Sequence, residues 1–319
     1  MIDQQVLFFE TIKSSLPEYQ NLAQSVAEVL NISTNEAYKK IRGNSTLNLP
    51  QITSLCNHFQ VSFTYQPNNL PNVTFDYMDL GQAPNMQAYL NNLLENLKAI
   101  KKRKDKHITI TTDDIPLFHF FKYPELTCYK LFFWADNAVD GATIFDMKLF
   151  SDEILATAKE MHQLYLEIPS TEIWSKDTVI GTLEQIRYGF DAGFIKDKAL
   201  AVQIVEQLRY CLTDMNMYAL SSKKTIDPTH TFNWYNCDVL GGICYLIDFG
   251  DDMKCYNRFN TFNYLSTSNK TYCQQTKTWV ASLIRRSISF SGQGEKHRNK
   301  FLYNSFAECD NLIKEINGQ

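Results

Sequence analysis

Near the amino end of this chain helical spacing breaks and restarts three times, which narrows what the first seventy residues can fold into. Ile2, Val6, Phe9, Ile12 and Leu16 recur at helical intervals until Pro17 stops the run, and Leu22, Val26, Ala27 and Leu30 then repeat the pattern. Asn31-Ile32-Ser33 interrupts it. Ser33-Thr34-Asn35-Glu36 has the Ser-x-x-Glu spacing of a capping box, in which the Ser33 hydroxyl accepts from the Glu36 amide while the Glu36 carboxylate reaches back to the Ser33 amide. A third helix is therefore expected to run to about Ile41, with Ala37 and Ile41 facing inward and Arg42-Gly43 ending it. Asn48-Leu49-Pro50-Gln51 supplies another start signal, and the helix it opens carries Ile52, Leu55, Cys56 and Phe59 on one face.

Four short helices, with a three-residue turn between the second and third, are what a helix-turn-helix requires. The residues resemble the Cro/C1-type (Xre-like) family at Ala27, where a small side chain lets two helices cross closely, at Ile32 and Ser33 in the turn, at Ala37, and at Arg42-Gly43. Leu49 to Phe59, followed by Val61-Ser62, is similar to that family's fourth helix and its exit. The family usually has glycine where this chain has Asn31, the next most tolerant residue for left-handed backbone. The resemblance covers about a fifth of the chain and implies a third helix placed in the DNA major groove. Carried over, it makes Thr34, Asn35, Tyr38 and Lys39 candidate base readers, and Lys40, Arg42 and Asn44 candidate phosphate contacts. The same geometry also serves as a protein-binding module, which is the alternative reading.

The 319 residues suggest two or three domains. Pro67, Pro71, Gly81 and Pro84 among several Asn residues mark a linker over 67–85. Met86 to Ile100 reads as a helix whose Leu90, Leu93, Leu94, Leu97 and Ile100 stripe suits a dimer seam, and it runs into a basic stretch from Lys98 to Lys106. That stretch fits either phosphate tracking or a solvated helix end. From Thr111 to Leu212 the spacing predicts mostly helices, at 114–134, 151–166, 176–192 and 196–218. Strands are expected at Gly242–Phe249 and Met253–Phe259 around the hairpin-like Gly250-Asp251-Asp252, and at Asn263–Thr267, followed by helices at 271–285 and 294–316.

No chemical motif outside the amino-terminal region matches this signal. The eight cysteines fall singly, without zinc-ligand spacing, although Cys237, Cys244 and Cys255 are candidates for a redox pair. Asp252-Met253-Lys254 with Asp238 spells a distant metal-dependent nuclease alternative, but the triplet begins in the expected turn. Arg285, Arg286, His297 and Arg298 are candidates to meet an anionic ligand or partner, with Ser291 read as a helix cap. The aromatic stretch around Phe118, Phe120, Phe121, Phe132, Phe133 and Trp134 reads as core. No glycine-rich phosphate loop follows a strand.

The fold class expected is mainly α with a smaller α+β carboxy-terminal part: a four- or five-helix helix-turn-helix domain over 1–66, the linker, a helical middle over 86–228 and an α+β sensing or dimerisation region over 229–319. The function expected is sequence-specific, non-enzymatic transcription regulation by a homodimer on double-stranded DNA, responding to a small-molecule or protein effector. Neither metal nor cofactor is expected. The first residues lack a basic end followed by an apolar core and no long apolar run occurs, so a cytoplasmic protein without membrane association is expected.

Overall fold

The computed structural model describes residues 4–16, 20–59, 61–63, 72–77, 86–136, 144–260 and 263–318. Ile2, Pro17 and most of the expected linker lie outside them. The chain divides into two compact units, Met1–Asn72 and Val73–Gln319.

The smaller unit contains α1 (Gln4–Ser15), α2 (Leu22–Leu30), α3 (Thr34–Ile41) and α4 (Leu49–Phe59). Phe8, Phe9, Ile12, Val26, Ala27, Ala37 and Leu55 form its core, so each helix contributes the apolar stripe that its spacing implies. Complete burial of side chains such as Phe9 and Leu55 contributes about 1.5–3 kcal/mol apiece.

The larger unit is built on one mixed sheet in the order β1-β7-β6-β5-β2-β3-β4-β8. Its strands are β1 (Asp76–Tyr77), β2 (His107–Thr112), β3 (Ser170–Ser175), β4 (Phe232–Cys237), β5 (Cys244–Asp248), β6 (Met253–Phe259), β7 (Asn263–Thr267) and β8 (Ile288–Ser289). β2, β3 and β4 are parallel, whereas β5, β6 and β7 form an antiparallel meander joined to β2. Parallel neighbours need helical crossovers. Accordingly α6 (Leu117–Phe120), α7 (Pro124–Asp136) and α8 (Asp152–Leu166) lie between β2 and β3, while α9 (Thr178–Asp191) and α10 (Lys198–Ser221) lie between β3 and β4.

Strand alternation assigns the two faces. Ile108, Ile110, Trp174, Phe232, Trp234 and Ile247 join the large core with these helices, with α5 (Met86–Lys102) and with α12 (Glu295–Gly318). Ile173, Cys237, Cys244, Leu246 and Cys255 point the other way, under α11 (Lys270–Arg286).

The mainly α composition with an α+β part is as expected, but its distribution is not. The span read as a helical middle contains β2 and β3, and β3 pairs with β4 across the expected 228/229 division. These regions share one sheet. The expected helix over 114–134 is split into α6 and α7, with Pro116 at the start of the first and Pro124 opening the second. The leucine stripe of α5 is also reassigned, because Leu90, Leu94 and Leu97 are buried within the unit where α5 packs on α8. It is an internal seam. Phe118, Phe120, Phe121, Phe132 and Trp134 are core residues. No described helix is long and apolar enough to cross a membrane.

Candidate nucleic-acid interface

Local chemistry fixes how α3 is presented. The Asn21 side chain caps α2 by accepting from the amides of Ala23 (2.9 Å) and Gln24 (3.3 Å). At the other end Asn31 adopts φ 51° and ψ 49°, and the Ile32 amide turns back to donate to the Ala27 carbonyl at 3.0 Å. Ser33 is extended, and its Oγ accepts from the Glu36 amide at 3.2 Å. Glu36 does not close the expected reciprocal box: its carboxylate accepts from Ser45 Oγ at 3.0 Å and lies 3.6 Å from the Lys39 ammonium. The reciprocal arrangement occurs one helix later, where Asn48 Oδ1 accepts from the Gln51 amide (2.9 Å) and Gln51 Oε1 from the Asn48 amide (3.2 Å).

Ala37 is fully buried and sits in the same cluster as Val26 and Ala27, so α3 lies close on α2 with its opposite face free. Gly43, at φ 77°, ends the helix, and the Asn44 amide donates to the Lys39 carbonyl at 2.8 Å. The loop that follows is clamped by Gln5 of α1. Its Nε2 donates to the carbonyls of Lys40 (2.6 Å) and Ser45 (2.7 Å), while its Oε1 accepts from the Leu47 amide (2.7 Å). No spacing rule picks out Gln5, because a single polar residue on a helix carries no record of a loop forty residues away.

Six of the seven candidate residues share the exposed side of α3 and its exit: Thr34, Asn35, Tyr38, Lys39, Arg42 and Asn44. The Arg42 guanidinium lies 5.9 Å from the centre of the Tyr38 ring. Lys40 does not join them. It is only 6% exposed, and its ammonium donates to the Thr46 carbonyl at 2.8 Å and to Ser45 Oγ at 3.4 Å, so it braces the loop from inside. Of the four Lys and Arg residues in the first 72, three fall within 39–42, against five acidic residues spread through the unit.

The other sequence candidates separate in space. The basic stretch at the end of α5 is half paired: Lys98 meets Glu95 and Glu160 at 3.2 Å each, Lys101 meets Glu167 at 2.7 Å, and Arg103 lies 3.7 Å from Asp252, whereas Lys102 and Lys104 are exposed. Asp252 sits in the β5–β6 turn beside the start of β2, whereas Asp238 follows the far end of the parallel β4; the nuclease constellation is not assembled. Cys244 and Cys255 share a face of neighbouring strands under α11, while Cys237 belongs to a different cluster. Arg298 is fully buried, donating to Asn216 Oδ1 (2.9 Å) and the Phe290 carbonyl (2.5 Å), and so is not available to an external anion. Ser291 caps no helix; its hydroxyl accepts from the Trp234 amide at 2.9 Å and ties the edge of the sheet to β4.

Two buried ionic clusters had no sequence signature. On β3, the Glu172 carboxylate accepts from His119 Nε2 (2.6 Å), Tyr165 Oη (2.5 Å) and Trp174 Nε1 (2.8 Å). Burial alone would raise its pKa, but His119 and the other donors outweigh that and hold it below the usual range. After β2, Asp114 accepts from Lys130 (2.7 Å), Thr182 (2.9 Å) and Gln185 (3.3 Å), which likewise overcome burial and lower its pKa. These satisfied clusters tie helices α6 to α9 to the sheet. An apolar cavity of about 60 Å³ beside Leu97, Phe118, Tyr245 and Ile247 is far below the few hundred Å³ of ordinary small-molecule sites.

No protein-family model, curated protein or solved structure matches the chain.

Proposed function

We propose that the chain is a sequence-specific DNA-binding transcription regulator of Cro/C1-type helix-turn-helix class, reading the major groove with α3. The observation that supports this is the left-handed turn at Asn31 followed by a capped helix whose one buried apolar residue is Ala37 and whose free side presents Thr34, Asn35, Tyr38, Lys39, Arg42 and Asn44. Short polar and cationic side chains at a helix start suit base edges, and cations just beyond its end suit phosphates. In this reading the protein is cytoplasmic and acts as a homodimer whose two reading helices engage half-sites about 34 Å apart, while the larger unit serves sensing or assembly.

Direct titration of a labelled duplex tests it. Replacing Lys39 and Arg42 by Ala should weaken binding by about 10- to 100-fold for each base interaction removed, and should lower the salt slope by about one for each phosphate interaction removed. Unchanged DNA affinity in that double variant contradicts the reading and leaves protein recognition as the use of the same face.

A further inference from the structure

The larger unit carries a second basic surface, and most of its charges are not neutralised. Residues 270–300 contain seven Lys and Arg and a single acidic residue, Glu295, in a chain with 31 basic and 35 acidic residues. Arg298 is buried and Lys277 pairs with Asp248 at 2.5 Å. Arg285 and Arg286 end α11, Lys296 and Lys300 lie in the first turns of α12, and all four side chains are exposed.

These two helix ends are joined by β8, the edge strand, whose Ile288 stands opposite Asn236 of β4. The cations therefore flank one edge of the sheet. Asp238, just beyond β4, and Glu295 are the nearby acids in sequence and register, and among the described residues neither forms an ion pair with the four cations. Arg286 turns back on its own helix, donating to the Ser282 carbonyl (3.2 Å) and Ser282 Oγ (3.4 Å). Among these cations Gln293, His297 and Asn299 are exposed, and no acid occurs anywhere along α11. Unpaired cations beside uncharged hydrogen-bonding side chains complement a polyanionic backbone, and Ile288, Val239 and Tyr303 are also exposed nearby in sequence and register.

We infer that this rim, formed by Arg285, Arg286, Lys296 and Lys300, binds the phosphate backbone of duplex DNA and adds a sequence-independent contact to that of α3. The inference rests on the DNA-binding reading above. Each phosphate contact contributes about 0.9 to the slope of log affinity against log salt, so four contacts contribute about 3.6, or on the order of a 100-fold loss between about 50 and 200 mM salt.

The test compares full-length chain, wild type and with Arg285, Arg286, Lys296 and Lys300 all changed to Gln, on a labelled duplex carrying a site enriched from random sequence and on a scrambled duplex. A control changes the exposed Lys148, Lys159, Lys196 and Lys198 to Gln, which alters net charge equally. Circular dichroism confirms that each protein is folded. The expected result is a salt slope lowered by about 3.6 in the rim variant on both duplexes, with the preference for the enriched site retained and the control behaving as wild type. A wild-type slope in the rim variant, or an equal reduction in the control, overturns the inference and leaves the role of α3 standing. Wild-type protein that binds neither duplex at low salt overturns both.

Discussion

Changing Lys224 to Met should remove one pH-dependent component from the stability of the larger unit. The Lys224 ammonium is buried, donating to the Tyr165 carbonyl at 2.6 Å and to Ser170 Oγ at 3.0 Å, and it lies 3.6 Å from the centre of the Tyr165 ring. Burial draws its pKa from an ordinary 10.5 down to about 7, with the Glu172 carboxylate pulling the other way. Between those two values the unfolded chain binds the proton and the folded chain does not, so stability rises with pH across this window. The destabilisation is fully present below about pH 7. At about 1.4 kcal/mol per pH unit, the difference in stability between wild type and variant should change by about 4 kcal/mol from pH 7 to pH 10. Methionine keeps the length and apolar bulk of the stem, and removal of the two hydrogen bonds, about 1 kcal/mol each, is an offset that does not vary with pH. Urea unfolding followed by tryptophan fluorescence isolates the larger unit, because Trp134, Trp174, Trp234 and Trp279 all belong to it. Buried thiols such as Cys128 and Cys309, each pushed up to about 12, titrate in both proteins and cancel in the difference. Parallel pH profiles for the two proteins would show that burial of Lys224 does not depress its pKa.

Asn31 holds φ 51°, so Asn31→Gly should stabilise the smaller unit by about 0.5–1 kcal/mol, read as slower amide exchange in α2 and α3; faster exchange would show that the Asn side chain matters more than backbone strain. Glu172→Ala orphans three buried donors and should cost about 3–5 kcal/mol by tryptophan-detected unfolding, whereas a cost under about 1 kcal/mol would mean the cluster carries no stability. Because the folded pKa of Glu172 is depressed, its contribution is present above the ordinary carboxylate pKa and is lost as pH falls through the folded value, so the acid limb of the wild-type profile should flatten in Glu172→Gln. A side chain at Gly294 would run into the Ser289 carbonyl, a backbone group that cannot rotate away, and Gly294→Ala should lower stability by about 1–3 kcal/mol; an unchanged midpoint argues against that close approach.

The sequence was most legible where the signals are local. Caps at Ser33 and Asn48, the glycine after Arg42 and the turn at 250–252 each act over three or four residues, and α3, α4, β5 and β6 lie where they imply. β2 did carry a signal, since His107-Ile108-Thr109-Ile110-Thr111-Thr112 is rich in β-branched residues, but it follows directly on a basic helix end. β3 offered less: Ser-Thr-Glu-Ile-Trp-Ser places a carboxylate at a fully buried position, which its partners on α6 and α8, with Trp174 of the same strand, make tolerable. The face of α3 was legible for the same local reason, apart from Lys40. A lysine one turn from Glu36 looks like surface charge until the Gln5 clamp folds the 44–47 loop over it. The uncompensated rim needed the fold, because sequence shows where cations are and not which acids reach them.

Whether α3 reads sequence is decided by selection from a pool of random duplex DNA with purified full-length chain, repeated at two salt concentrations and followed by sequencing. An enriched two-fold symmetric motif is expected, and it should disappear when Lys39 and Arg42 are changed to Ala. Binding without enrichment, or no binding at either salt, would contradict sequence reading by α3.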